Sequence, residues 1–451
     1  MFDIRYSSMK RAATVVSVLV GLCSAGAPAV YANGFGADKT PIGATRAGNA
    51  EGTIPPWEGG VTQVANGWKP GDARVDPFAD EKPLFTISAD NVDQYKDKLT
   101  PGQVALLKQY PGYTMPVYKT HRTCALPERN YQQTVANLSG AVMNADNKVE
   151  AGFGGVLFPQ PKTGWEAMMN HRTAYSGVAT RHMITTAVKK TNGSNKIYKG
   201  EVQAYSPIYD PDVGSIDAAD GFLSKFVYTA KLPTKSAGTT GLVHEFFNKP
   251  RNSWAYLPGL RRVKMAPNIA YDNPSAGQDG LTTFDQSGMF NGEGDRYNWE
   301  LQGKQEIYVP YNAWKFRNKS LSVDDIVGEM YPTRELTRYE LHRVWKVKAT
   351  LRDDYRNIFT RRDFYLDEDS WRIVAADLYD ARGELWRVQE SHLFVAPELP
   401  ACVGSAEFYY DLVAQRYVAD SLIIGDDENN YTLGSEVNGN QFSPAYLRRH
   451  G

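Results

Sequence analysis

The sequence predicts an α+β chain, mainly antiparallel β, in which a short helical region leads into one large, strongly curved sheet or barrel. Three observations predict it. Segments alternating apolar and polar residues recur from about residue 173 to residue 423. Connections such as Asp367-Glu368-Asp369-Ser370 and Asp380-Ala381-Arg382-Gly383 are too short for a crossover helix, so they make hairpins rather than βαβ units. Helix signals are confined to residues 88–144.

Composition sets the outer bounds. Hydrophobic residues make up 42% and charged residues 22%, enough to fill a large core and too ordered a mix for a collagen-like or disordered chain. Lys+Arg 50 against Asp+Glu 51 gives a net charge of -1. Such a balance offers no basic surface for a phosphate backbone, which argues against a nucleic-acid partner.

At the N-terminus, Lys10 and Arg11 precede an apolar run from Ala12 to Leu22, and small residues end at Val30-Tyr31-Ala32. This predicts a cleaved secretory signal over residues 1–32 and a periplasmic location. Leu22 stands where a lipobox before Cys23 would need a small residue. No later apolar run is long enough to span a bilayer, so membrane contact is expected to be peripheral or transient. Cys124 and Cys402 remain after cleavage, an even pair in an oxidising compartment and therefore a disulfide candidate. Two buried free thiols are the other reading.

Residues 33–85, rich in Gly and Pro around Ile54-Pro55-Pro56-Trp57, read as an extended arm, and residues 86–451 as a single domain. Ser88 is a candidate N-cap for a helix over Ala89–Asp97, and Thr100-Pro101 for one ending near Tyr110. Pro127 opens a third, to about Asn144, with Tyr131, Val135, Leu138 and Val142 on one stripe. Strands are expected over 173–188, 197–205, 222–232, 242–248, 253–257, 261–265 and 297–308, then 341–351, 358–366, 371–379, 385–394, 408–412 and 416–423. Residues 341–351 alternate a mostly apolar face with a wet one carrying His342, Lys346 and Lys348. Asp367, Glu368 and Asp369 read as a solvated turn.

Several segments carry a resemblance. They are Gly43-Ala44-Thr45-Arg46-Ala47-Gly48-Asn49, Phe158-Pro159-Gln160-Pro161 with Asn170-His171-Arg172, and Trp254-Ala255-Tyr256-Leu257-Pro258-Gly259-Leu260-Arg261-Arg262-Val263. Val309-Pro310-Tyr311-Asn312, His342-Arg343-Val344-Trp345 and Tyr365-Leu366-Asp367-Glu368-Asp369-Ser370-Trp371 continue the series. In this order they resemble the exported proteobacterial family called domain of unknown function 1329, often labelled outer-membrane lipoprotein-sorting proteins. That family is similar to the LolA/LolB carriers. The resemblance implies an unclosed antiparallel barrel with helices packed as a lid over an apolar cavity. It also implies an RND-type exporter or an outer-membrane protein as partner.

The residues support a carrier of a lipid, lipoprotein or other hydrophobic molecule. Each exposed methylene costs about 0.8 kcal/mol in water, so a chain of ~14 carries roughly 11 kcal/mol, which an apolar cavity removes. Trp254, Tyr256, Trp345 and Trp371 are candidate wall residues, and Met168 and Met169 candidate adaptable surface. Arg261 and Arg262 are candidate head-group contacts, because guanidinium binds phosphate or carboxylate through two parallel hydrogen bonds. Ordinary core packing is the other reading of each aromatic.

No catalytic residue, metal or cofactor is assigned. His-Glu-x-x-His, Gly-x-Ser-x-Gly, P-loop and dinucleotide fingerprints are missing from the sequence. Asp272, Asp279, Asp285 and Asp295 lie in a loop without EF-hand spacing. The alternative function is a secreted carbohydrate-active enzyme or polysaccharide-binding protein, with carboxylates among Glu300, Glu306, Glu340 and Glu390.

Overall fold

The computed structural model describes residues 32–65, 67–69, 72–190, 192–266, 271–424, 429–430 and 439–450. The predicted export signal and Cys23 therefore lie outside the described residues, apart from Ala32.

Four short strands come first: β1 (Phe85–Ile87), β2 (Met115–Val117), β3 (Val142–Met143) and β4 (Val149–Ala151). A run of hairpins follows: β5 (Ala179–Lys189), β6 (Asn195–Tyr205), β7 (Phe222–Leu232), β8 (Thr240–Phe246), β9 (Asn252–Leu257) and β10 (Arg262–Met265). The long strands β11 (Tyr297–Pro310) and β12 (Tyr339–Leu351) lead into β13 (Arg361–Asp367), β14 (Ile373–Tyr379), β15 (Leu385–Ala396), β16 (Ala401–Asp411) and β17 (Arg416–Leu422). β18 (Asn429–Asn430) ends the series. The helices are α1 (Ala32–Phe35), α2 (Pro101–Gln109), α3 (Glu128–Gly140), α4 (Gly164–Arg172), α5 (Val323–Ile326) and α6 (Pro444–His450).

Sixteen strands form one sheet, antiparallel but for the single β2–β12 bridge. Its path runs β1-β2-β12-β13-β14-β15-β16-β17-β5-β6-β7-β8-β9-β10, with β11 beside β12 and β18 beside β5. β1 and β10 end that path and do not pair with each other, so the sheet is curved but open. The fold is the predicted one, and the strand boundaries follow the predicted ones closely. β5 begins at Ala179, six residues later than expected, since α4 runs to Arg172; β16 is the other exception. It begins at Ala401, seven residues earlier than read, because the turn before it is tight and Cys402 already pairs with Val395.

The centre of the sheet is covered on both faces. Every residue of β14 is buried. In β16, Phe408 and Tyr410 pack into a cluster with Leu106 and Leu107 of α2, while Tyr409 between them packs with Leu281. The wet face expected on β12 is therefore corrected: His342 is buried and stacks on Tyr311, ring centroids 3.7 Å apart. Further along that face Lys346 and Lys348 are half-buried, Lys346 3.9 Å from Asp363, and Thr350 is exposed, so the wet character holds only at that end.

Helix α2 keeps its predicted cap, Thr100 accepting from Gln103 N and Gln103 reciprocating. Its first turn presses on β14. Asp377 Oδ1 accepts from Gly102 N at 3.1 Å, and a β-carbon on Gly102 would collide with Asp377 and Val388. The helix expected over Ala89–Asp97 is instead two separate 3-10 turns, Val92–Gln94 and Lys96–Lys98. α4 was not predicted. Seven of its nine residues are buried, which erases the polar stripe that marks a surface helix; the legible signal was Thr163 followed three residues later by Glu166.

The segment before β1 is packed down, with Ile42, Ala44, Ile54 and Trp57 buried. It is clamped by Arg122, which donates to Thr45 O and Arg46 O and grips both oxygens of Asp369 at 2.7 and 2.8 Å. Asp367, Glu368 and Asp369 are thus not a solvated turn but a buried one, with Lys304 and Arg343 supplying further cations to Glu368. Cys124 and Cys402 form a disulfide beneath the same turn, joining the segment that carries Arg122 to β16.

Burial pushes the Asp377 carboxyl up to about 7, outweighing the Gly102 and Thr100 hydrogen bonds that favour its anion. A carboxyl raised in the folded state binds its proton more tightly there than in the unfolded chain. Stability conferred by the protonated group is full below about pH 4 and is lost as pH rises toward 7. Asp377→Asn, which keeps an acceptor for Gly102, should leave stability at pH 4 nearly unchanged and raise it relative to the unsubstituted chain at pH 8, on the order of 2 kcal/mol. Urea denaturation at both pH values measures this, and a difference that does not vary with pH would contradict it.

Candidate functional site

Two hollows open on either side of one side chain, Arg372. The residue follows Trp371, whose φ of 60° turns the chain sharply out of the Asp367–Ser370 turn into β14. Its guanidinium donates to three backbone carbonyls, Cys402 at 3.3 Å, Ala174 at 3.1 Å and Tyr175 at 2.9 Å. The larger hollow, about 280 Å³, lies between the end of α4, the start of β7, the end of β8 and residues 287–291. His171, Arg172, Leu223, Phe226, Glu245 and Phe290 line it. The smaller, about 170 Å³, lies over β5, β16 and β17 and is lined by Thr180, His182, Ile184, Glu407 and Ile423 among others.

The charges are arranged in chains. Glu245 is held between Arg172 at 3.2 Å and Arg251 at 2.7 Å, all three side chains at least 94% buried. His171 accepts from Ile373 N through Nδ1 at 3.2 Å and meets Gly288 O through Nε2 at 3.0 Å. Burial lowers its pKa to about 3, so it stays neutral. In the smaller hollow burial lowers His182 to about 4 and raises Glu407, which accepts from Tyr409 Oη, to about 7. Two guanidiniums, those of Arg172 and Arg251, therefore hold one carboxylate at the larger hollow, and Arg372 is also on its lining, beside the apolar walls of Leu223, Phe226 and Phe290. Such a surface suits a ligand with one anionic and one apolar end.

The residues singled out in the sequence fall elsewhere. Trp345 and Trp371 stack 5.9 Å apart, and with Met168 and Met169 of α4 they belong to the principal core. Trp254 and Tyr256 pack in a smaller cluster with Val227, Leu242, Phe442 and Leu447, under α6. Arg261 and Arg262 are exposed at the β9–β10 turn. The sheet places β12 near one end of its path and β9–β10 at the other, so these eight residues are not brought together, and none of them lines either hollow. Arg372, Arg172, Glu245 and Glu407 were missed. A signal for Arg172 was available, since Asn170-His171-Arg172 interrupts an apolar stretch within a motif already singled out.

Other clusters are committed to structure. His342, Asp367 and Asp369 present ligand atoms within 4.8 Å of one another, but Arg122 holds Asp369, while Tyr311 and Ser370 donate to Asp367. The loop acids pair with cations or hydroxyls: Asp285 with Arg362, Asp279 with Lys196 and Arg416, Asp272 with Arg296, Asp295 with Tyr271. Glu300 and Glu306 sit six residues apart on β11, roughly 20 Å along a strand, too far for a glycosidase pair. Glu340 is bound by Arg338 and Asn312, and Glu390 by Tyr113 and Tyr339.

Glu245→Gln should cost about 3 kcal/mol, because it removes the buried carboxylate charge that Arg172 and Arg251 both face. Chemical denaturation measures it, and a loss under ~1 kcal/mol would show that solvent reaches the pair.

Among the described residues, no helix is long and apolar enough to cross a membrane. Solved structures with related strand arrangements include a DUF1329 family protein from Desulfovibrio piger, 11% identical with a TM-score of 0.42, covering 63% of this chain and 97% of that one. A LolA superfamily protein, NE2245 from Nitrosomonas europaea, is 10% identical with a TM-score of 0.38, covering 63% and 100%. By sequence the chain is 38% identical over 449 residues to the uncharacterized protein PA3922 of Pseudomonas aeruginosa, covering 97% of this chain and 96% of the other. Residues 86–448 match the family described as protein of unknown function (DUF1329), and the chain belongs to that family.

Proposed function

We infer that this protein is a periplasmic carrier or chaperone that shelters a lipid, a lipoprotein's acyl chains or a similar amphiphile, holding the anionic end near Arg372 and Arg172. The observation that carries the reading is the pair of hollows that share Arg372, where guanidiniums stand beside apolar side chains of an open sheet. Its finer parts are an RND-type exporter or an outer-membrane protein as the exchange partner, and residues 33–85 as an arm bracing a single domain over 86–451. The Cys124–Cys402 disulfide supports an oxidising envelope compartment.

The physical logic differs from a purely greasy cavity. At about 280 Å³ the larger hollow is near the lower bound of ordinary ligand pockets. It takes a head group with a short apolar stretch as it stands. A longer chain requires α4 and residues 284–291 to swing away from the sheet, carrying Trp165 and Phe290 with them and uncovering Trp299 and Phe364 on β11 and β13. Burial of each methylene then returns about 0.8 kcal/mol.

Extraction of the purified protein followed by lipid mass spectrometry should yield a co-purified anionic amphiphile, and a fluorescent fatty acid should bind in competition with it. Arg172→Gln should weaken that binding about tenfold, the loss of one charge-assisted contact. A ligand-free protein that fails to bind fatty acids and phospholipids would sink the reading.

Affinity should also depend on pH through Glu407. Its carboxyl, raised to about 7, is neutral below that pH and ionised above it. An anionic ligand should therefore bind more tightly at pH 6 than at pH 8, and Glu407→Gln should flatten the profile. An unchanged profile in the variant would place the titrating group elsewhere.

A further inference from the structure

The hairpins of β5–β10 and β16–β17 end on the same side of the sheet. Arg416, at the start of β17, donates to Lys189 O at the end of β5, and Lys199 of β6 lies opposite Leu232 at the end of β7. A β-carbon on Gly238, in the β7–β8 turn, would sit 3.1 Å from Pro258 in the β9–β10 turn, so those two turns touch. Four neighbouring hairpin ends thus form one rim.

That rim has an unusual surface. Nine large apolar side chains stand exposed among the described residues, and five belong here: Val413, Ile197, Leu232 and Leu260 at or near the turns, and Met265 on the outer edge of β10. Leu260 is 55% exposed and Val413 74%. Between them lie the exposed cations Lys190, Lys231, Lys235, Arg261, Arg262 and Lys264. Residues 189–200, 230–240 and 256–266 contain no Asp or Glu, although the whole chain is slightly acidic. The nearest recorded carboxylate to these six is Glu201, 3.8 Å from Lys231.

We propose that this rim docks on an anionic lipid bilayer, its cations meeting the head groups while Leu232, Leu260 and Val413 enter the interface. Charge complementarity selects the occupant. Basic side chains interleaved with protruding apolar ones match a surface that is negative at its face and apolar just beneath. A protein partner would call for a packed apolar centre with a polar rim, and the exposed apolar groups here are instead spread over separate turns. The larger hollow is reached from the other end of the same strands: Phe226 lines it, and Leu232 lies six residues further along β7, roughly 20 Å away. Docking leaves that hollow unobstructed. The proposal does not rest on the carrier reading, since a chain with an empty hollow would dock equally well.

The test is co-sedimentation of the full chain with vesicles of phosphatidylcholine alone or mixed with phosphatidylglycerol, at low and high salt, with heparin as a soluble polyanion. The chain should bind the mixed vesicles, leave the neutral ones, and lose binding as salt rises. Arg261→Glu with Arg262→Glu should weaken vesicle binding by at least ~30-fold, two basic residues' worth of attraction near an anionic surface. Leu232→Ser with Leu260→Ser should weaken vesicle binding several-fold while heparin binding holds. All four side chains are exposed, so far-UV circular dichroism and melting should not change. Binding equal to that of the unsubstituted chain in either variant would overturn the proposal. So would failure of the unsubstituted chain to bind mixed vesicles, or capture by heparin alone.

Discussion

A long antiparallel sheet that curls without closing has an inner face to cover and edges to protect, and everything else in this protein answers that constraint. Sixteen strands form one curved sheet, yet β1 and β10 never meet. The inner surface must be capped by segments that are not strands. α2, α4 and the long loop of residues 271–296 do this, packed on β14–β15, on β11–β12 and over β14–β17 respectively. Where α4 and the loop part from β7 and β8, the covering is incomplete and the hollows around Arg372 remain.

The covering is secured by charge rather than by grease alone. Arg122 ties the arm to the Asp367–Asp369 turn, Arg372 ties that turn to the segment before β5, and the disulfide joins the same region to β16. Buried ions are costly unless fully paired, so these contacts specify geometry more than they add stability. Arg362 with Asp285 and Arg387 with Asp411 repeat the device under the long loop.

Period-2 patterning, turn chemistry and the Thr100 cap were enough to read the antiparallel architecture, most strand limits and α2 from the sequence. The sites were less legible. Aromatics drew the eye to Trp254, Trp345 and Trp371, but in a sheet this large most aromatics fill core, and whether two strands are neighbours depends on a topology that pattern does not encode. The acidic turn at Asp367–Asp369 looked solvated because its countercharges, Arg122 and Lys304, are 247 and 64 residues away. Arg261 and Arg262 lie at the β9–β10 turn, away from both hollows, a placement set by the order of strands and not by the local pattern.

The account turns on Arg372 and its neighbours meeting an anionic end inside the curved sheet. A crystal structure grown with a long-chain fatty acid tests that most directly. The carboxylate is predicted to hydrogen-bond Arg372 or Arg172, with the alkyl chain against Leu223, Phe226 and Phe290 and with α4 displaced outward. Clear density for the fatty acid elsewhere on the molecule, with both hollows holding only water and α4 unmoved, would contradict it.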